Sequence, residues 1–211
     1  MEISMTRSMI SVSFLSLSMV IFAGCATEPP PVSILYSPSL EVRGGAGALF
    51  LKTSDKHPVP NKENQGVRFV IGKQMDSYGS ITGEILSVNS QEDMMFDSMK
   101  RELTAAGYSV ESGISMPRGI PKGVDLTSIQ IEIDETASIP KIEAEGTVKV
   151  SMDVSKNGAV VKKLSYESKV SDTAIINRDN LPRDIIEKGL RGVLSQAVPD
   201  IISVLEQKPG N

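Results

Sequence analysis

Between positions 128 and 170 the chain alternates apolar and polar residues three times. Ile129, Ile131 and Ile133 are interleaved with Ser128, Gln130, Glu132 and Asp134. Ala144, Gly146, Val148, Val150, Met152 and Val154 are interleaved with Glu145, Thr147, Lys149, Ser151 and Asp153. A third alternation sets Val160, Leu164, Tyr166 and Val170 on one face. Only an extended chain sends successive side chains to opposite faces. A period of two therefore marks strands with one face buried and the other in water.

The second and third strands meet at Lys156-Asn157-Gly158. Asn-Gly by itself favours a two-residue turn. That turn would set Val150 opposite Ser165 and Val148 opposite Glu167. A three-residue loop instead sets Val154 opposite Val160, Val150 opposite Leu164 and Val148 opposite Tyr166. A slip of one residue turns every side chain to the wrong face, so the apolar pattern selects the second register. The expectation is a type I turn with Gly158 left-handed in a bulge. Lys162 then falls inward opposite Met152 and must reach solvent at the sheet edge.

Helical spacing appears twice. In residues 90–107, Met95 or Phe96, Met99, Leu103 and Ala106 form one apolar face. Ser90 and Asp93 are placed to cap its start, and Gly107 to end it. Met94, Met95 and Met99 suit core packing, or an adaptable groove for a partner. Asn180 and Pro182 open a second helix, with Ile186, Leu190, Val193, Ala197, Ile201 and Val204 along its stripe. Pro199 should kink or split it near Gln196. Shorter strands are expected at 32–36, 48–52, 67–71, 81–88 and from 108. Residues 53–66 and 112–125 read as polar, proline-bearing loops. Gly44-Gly45-Ala46-Gly47 lacks the Lys-Ser/Thr of a phosphate loop and reads as a turn.

The 211 residues suit one domain with accessory segments. Aromatics are 4% with no Trp, so the core must rest on Ile, Val, Leu and Met. A net charge of −4 without a basic stripe argues against nucleic acid as a partner.

The N-terminus carries a different signal. Residues 1–7 are short and polar with Arg7, and 9–22 form a mostly apolar run studded with serines. A membrane-spanning helix needs ~20 apolar residues, so the run is too short to cross and fits the core of a secretory signal peptide. It ends at Ala23 and Gly24, before the only cysteine, Cys25, and then Pro29, Pro30 and Pro31. Phe22-Ala23-Gly24-Cys25 resembles the lipobox of bacterial lipoproteins, although Phe22 stands where that family prefers an aliphatic residue. The resemblance implies cleavage between Gly24 and Cys25, and acylation of the Cys25 thiol and amine. Two or three chains at about 0.8 kcal/mol per buried methylene make such an anchor stable. Ala26, rather than Asp, after the cysteine implies sorting to the outer membrane, on its periplasmic face, rather than retention at the inner one. Residues 26–31 in polyproline form reach only ~20 Å, so the folded part should sit close to its membrane. A lone cysteine also fits an oxidising compartment, since nothing remains to mispair with it.

The residue types that carry most enzyme chemistry are sparse. His57 is the only histidine and precedes Pro58 in a polar loop. No Cys/His cluster is present to hold zinc, and no G-x-S-x-G supports a serine nucleophile. Glu132, Asp134, Glu143 and Glu145 lie on the polar faces of half-solvated strands, where charge is ordinary. We expect no enzyme activity, no metal and no cofactor.

A second resemblance covers the mature chain. FAGCATEPPP, the strand beginning Gly66-Val67, the segment MFDSMKRELTAAGYSV, the strands around Lys156-Asn157-Gly158 and the long last helix are similar to the YajG-type family of uncharacterised bacterial lipoproteins. The resemblance implies a single α+β domain, an antiparallel sheet with two main helices packed on one face. The expected organisation is a signal peptide at 1–24, a lipidated Cys25 with its Pro-rich tether at 25–31, and a periplasmic domain at 32–207. The expected role is a non-enzymatic accessory or binding module of the cell envelope. Its contacts would be the membrane through Cys25 and an envelope protein or lipid, met by the sheet face and strand edges; a second copy of the chain is also admissible. The alternatives are an auxiliary lipoprotein of an ABC-type lipid transport system, by fold-level analogy, or an envelope hydrolase.

Overall fold

The computed structural model describes residues 30–53, 68–175 and 178–207. Along the chain these form β1 (Ala48–Lys52), β2 (Phe69–Asp76), β3 (Ile81–Ser87), α1 (Gln91–Ala105), β4 (Ser109–Gly113), β5 (Lys122–Ser138), β6 (Lys141–Lys156), β7 (Ala159–Ala174) and α2 (Leu181–Glu206). The three alternating segments are β5, β6 and β7, of 17, 16 and 16 residues, each antiparallel to the next.

On its other side β5 is longer than any available partner, and it takes two in tandem. Gly123–Asp125 pair with β1, and Ile133–Ala137 pair with β2, both in parallel. β3 then joins β2 antiparallel, and β4 joins β1 parallel. The sheet is therefore mixed and curled, and the expectation of an antiparallel sheet is corrected, although the domain is α+β. The short strands β1, β2 and β4 carry too little pattern to reveal their direction. Direction follows from the connection, because α1 carries the chain back so that β4 enters beside β1 in the same sense. Between the two partners of β5, the Ile131 N–H donates to the Gln91 Oε1 at the start of α1 (2.9 Å), so a side chain fills part of the gap left by the strands.

α2 packs along β5, β6 and β7, and α1 lies against β5, β4 and α2. Glycines let α2 approach the sheet closely. A Cβ at Gly146 would stand 2.2 Å from Ile185 Cγ2, and one at Gly189 would stand 2.6 Å from Val148 Cγ2. The core between the layers includes Leu49, Leu51, Ile131, Ile133, Met152, Ile186 and Leu190, all buried. Met94, Met95 and Met99 are also buried, so they pack the core and form no exposed groove.

The β6–β7 hairpin resolves the turn conflict in a way the pattern did not disclose. Asn157 (φ 53°) and Gly158 (φ 81°) are both left-handed, as a two-residue turn of the I′ kind requires, and Lys156 faces Ala159. The register then shifts between Ser155, opposite Val160, and Val154, opposite Lys162, leaving Val161 as the extra residue. Beyond it Met152 faces Leu164 and Val150 faces Tyr166. The expected three-residue loop is thus corrected, and Lys162 is exposed opposite Val154 rather than inward opposite Met152. Face parity still explains the bulge. Val148, Val150, Met152 and Val154 are each worth about 1.5–3 kcal/mol when buried. One disturbed ladder bond costs about 1 kcal/mol.

The helix ends obey local rules unequally. Ser90 Oγ accepts from the Asp93 N–H (3.0 Å) and donates to Asp93 Oδ2 (2.7 Å). At the other end of α1, the Tyr108 N–H reaches Leu103 O and the Gly107 N–H reaches Thr104 O, both at 3.1 Å, with Gly107 at φ 116°. That is a Schellman closure. Asn180 makes no side-chain cap, since a 3-10 turn, Arg178–Asn180, leads straight into α2. Nor does Pro199 split α2, which runs unbroken to Glu206. Ala197, Val198 and Ile201 on both sides of the proline are fully buried, and their packing outweighs its ~3 kcal/mol penalty. Leu205, rather than Val204, completes the buried stripe.

Candidate functional site

Gly24, Cys25 and His57 lie outside the described residues. What the structure does show is how the chain enters the fold from the N-terminal side. From Pro30 it runs extended beside β3. The Val32 N–H donates to Leu86 O (2.7 Å) and Val32 O accepts from Val88 N (2.9 Å). Only this one bridge forms, parallel at Val32 and Ser87, where a short strand was expected. Burial nonetheless alternates, with Val32, Ile34 and Tyr36 inside and Ser33 and Leu35 exposed. The Ile34 N–H donates to Asn89 Oδ1 at 3.1 Å.

Tyr36 completes this clamp. Its hydroxyl donates to Glu102 Oε1 (2.7 Å), which also accepts from the Ser39 N–H (2.9 Å), and Glu102 is 1% exposed. Burial first, and then the Glu102 acceptor, push the Tyr36 phenol above its ordinary range. The segment next to the expected tether is therefore held by α1 and β3 together.

Beside Pro30 lies a cavity of about 80 Å³, walled by Val32, Ile85, Ile142 and Pro182 and bearing Gln74, Glu84, Glu135 and Asp179. It is far below the ~300–1,000 Å³ of a typical small-molecule pocket. Glu135, 6% exposed, accepts from Gln74 Nε2 at 3.1 Å. Burial pushes its carboxyl above the usual range, the Gln74 bond opposes this, and the negative charge of Asp179 adds to it.

The opposite end of the molecule is closed by a polar staple. Glu206 Oε1 accepts from Tyr108 Oη and from Lys122 Nζ, each at 2.7 Å. Lys122 Nζ also donates to Ala46 O (2.7 Å) and stands 5.4 Å from the Tyr108 ring centre. Burial raises the Glu206 carboxyl, but the Lys122 and Tyr108 bonds outweigh it and hold the group below its usual range. The glycine patch passes here. A Cβ at Gly45 would stand 2.6 Å from the Tyr108 ring, so Gly45 serves close packing, whereas Gly44 and Gly47 take left-handed φ values of 117° and 75°.

The four carboxylates noted on the strands are spread along the polar face. Asp134 lies 3.6 Å from Lys73, Glu143 pairs with Lys141, and Glu132 and Glu145 are exposed. Asp134 and Glu145 are cross-strand register partners on β5 and β6. Two buried carboxylates escaped notice in the sequence. Glu135 continues the inward phase of Ile131 and Ile133, and Glu102 falls one helical step from Ser98 and Met99. That phase was the available signal.

No family model matches the chain, and comparison with curated proteins gives no match. Among solved structures, a DUF330 protein from Xanthomonas campestris is 11% identical, with 82% of this chain and 95% of that one covered at a TM-score of 0.48. A minor lipoprotein from Acinetobacter baumannii is 13% identical over 80% and 99% of the two chains, at a TM-score of 0.40. The rare lipoprotein B from Shewanella oneidensis is 11% identical over 64% and 92%, at a TM-score of 0.34. At such low TM-scores and identities these likenesses carry no argument about this chain.

Proposed function

We propose that this chain is a bacterial envelope lipoprotein, acylated at Cys25, that serves as a non-enzymatic binding or accessory module at the membrane. The observation that carries the proposal is the stretch VIFAGCATEPPP, with the lone cysteine between an apolar run and a proline segment. The clamp of Val32 on β3 and of Tyr36 on Glu102 supports it, because the fold begins to grip the chain only a few residues beyond Cys25. The polar strand face, where carboxylates meet lysines, suits a solvated surface better than a hydrolytic centre. Ala26 favours the outer membrane as the destination, and the segments named above favour kinship with the YajG-type lipoproteins.

The test is labelling of expressing cells with radioactive palmitate, followed by membrane fractionation. Wild type should incorporate label and remain in the membrane fraction. Cys25→Ala should lose both properties, and a variant that kept its label would overturn the proposal.

A further inference from the structure

Several large apolar side chains are left in water, Leu35, Val70, Val88 and Ile114 at scattered positions and a further four that fall together. Tyr78 is 93% exposed, Ile81 68%, Ile139 103% and Ile175 63%. Turn tips ordinarily carry Gly, Asn, Asp or Ser, so an exposed Ile or Tyr there is unusual. All four residues lie at one end of the sheet. Asp76 is the register partner of Ala137, so the β2–β3 tip with Tyr78 stands beside the β5–β6 tip with Ile139. Ile81 faces Met75, and Ile175 follows Ala174, which faces Ile142. The β2–β3 tip is also fixed in shape. Asp76 Oδ1 accepts from the Tyr78 and Ser80 N–H groups, both at 2.9 Å, and Gly79 takes the left-handed position at φ 82°.

The chain also enters at this end. Pro30 borders the cavity formed with Gln74, Glu135 and Ile142, which lie three or four residues from Tyr78 or Ile139. The five residues 25–29 can extend at most ~18 Å. The far hairpin end, where Val160 and Val161 are half exposed, lies a full β6 away, ~50 Å at a strand's rise per residue. A lipid on Cys25 therefore keeps the membrane within reach of the tips of Tyr78 and Ile139, whereas Val160 and Val161 would meet it only if the domain lay flat.

We infer that this end of the sheet is a membrane-contact surface, with Tyr78, Ile81, Ile139 and Ile175 entering the lipid interface beside the anchor. The inference rests on the acylated-cysteine reading for its geometry. Its chemistry is that of amphipathic interfacial contact, in which an apolar body meets acyl chains while a phenol stays at the headgroups. Glu84 and Asp179 stand behind the tips, and Lys141 at the β5–β6 tip is paired with Glu143, so the contact depends mainly on apolar burial.

The chain has no Trp and one Cys, which makes the experiment clean. Tyr78→Trp, Ile139→Trp and Val161→Trp are placed singly, and the acylated protein is reconstituted into phosphatidylethanolamine–phosphatidylglycerol vesicles with brominated acyl chains. The Trp at 78 and at 139 should emit at shorter wavelength and be quenched by bromine, whereas the Trp at 161 should do neither. Raising the phosphatidylglycerol fraction should leave the quenching unchanged. Equal quenching at all three positions, or none at 78 and 139, would overturn the inference. So would a blue shift that grows with protein concentration in the absence of vesicles, which would assign the tips to a second copy of the chain. If cells do not acylate the protein, the single thiol is coupled to a maleimide-bearing lipid in the same vesicles. Failure of the anchor and failure of the tip contact are then read separately.

Discussion

Tyr36 donates its phenolic hydrogen to Glu102 across 2.7 Å, joining the entering chain to the last turn of α1 in a fully buried setting. The pair closes the N-terminal segment onto the core. Tyr36→Phe keeps the ring and removes the donor. Glu102 Oε1 then retains only the Ser39 N–H. We expect a loss of about 1–3 kcal/mol in urea unfolding with an unchanged m-value. A loss near zero would mean that the bond contributes nothing beyond its exchange with water.

Glu135 gives a pH prediction. Its folded-state carboxyl is raised above the unfolded value, so the native state holds the proton more tightly. Stability from this group therefore falls as pH rises from the ordinary carboxylate range through the raised one, and the penalty is complete above it. Glu135→Gln, which keeps an acceptor for Gln74, should raise the melting temperature at pH 7. The gain should vanish near pH 4, where the native carboxyl is already protonated. Thermal scans of both proteins across this range decide it, and a gain that grew toward acid would contradict the assignment.

Two glycines separate steric from conformational demand. A Cβ at Gly72 would lie 1.9 Å from the carbonyl oxygen of Ile133, which is backbone and cannot move aside. At Gly158 there is open space, and only φ +81° resists a side chain. Gly158→Ala should cost about 1–2 kcal/mol. Gly72→Ala should cost more and should weaken the β2–β5 pairing, seen as faster amide exchange in β2.

The bulge predicts an asymmetry between deletions. Removing Val161 leaves Ser155 opposite Val160 and Val154 opposite Lys162, so the inner face of β7 is preserved. Removing Ser165 turns Tyr166 and Val170 away from the core. The first deletion should fold with a melting temperature close to wild type. The second should be recovered only as aggregate or as a loosely packed state.

The parts of the fold read correctly from sequence are those in which one local signal dominates. Ile129 to Ile133 and Ala144 to Val154 show a strand period, and Ser90 with Gly107 fixes both ends of α1. Misreadings arise where two signals compete or where a distant partner decides. At Asn157-Gly158 turn chemistry and face parity disagree, and the chain satisfies both by placing the extra residue at Val161. β1 runs parallel to β5 because of a connection more than sixty residues long, which no local pattern encodes. Pro199 obeys its neighbours in the core rather than its own preference. At the candidate membrane surface, Ile139 and Tyr78 could be seen as apolar residues beside turns. Their adjacency required the β2–β5 register.

The tandem pairing on β5 also bears on the order in which the molecule can exist. Synthesis delivers β1, β2, β3 and β4 before residues 122–138 are available. Until then these strands can meet only in pairs, and a two-stranded piece is marginal in water. The first half of the chain therefore holds no stable sheet of its own until β5 arrives to join its strands.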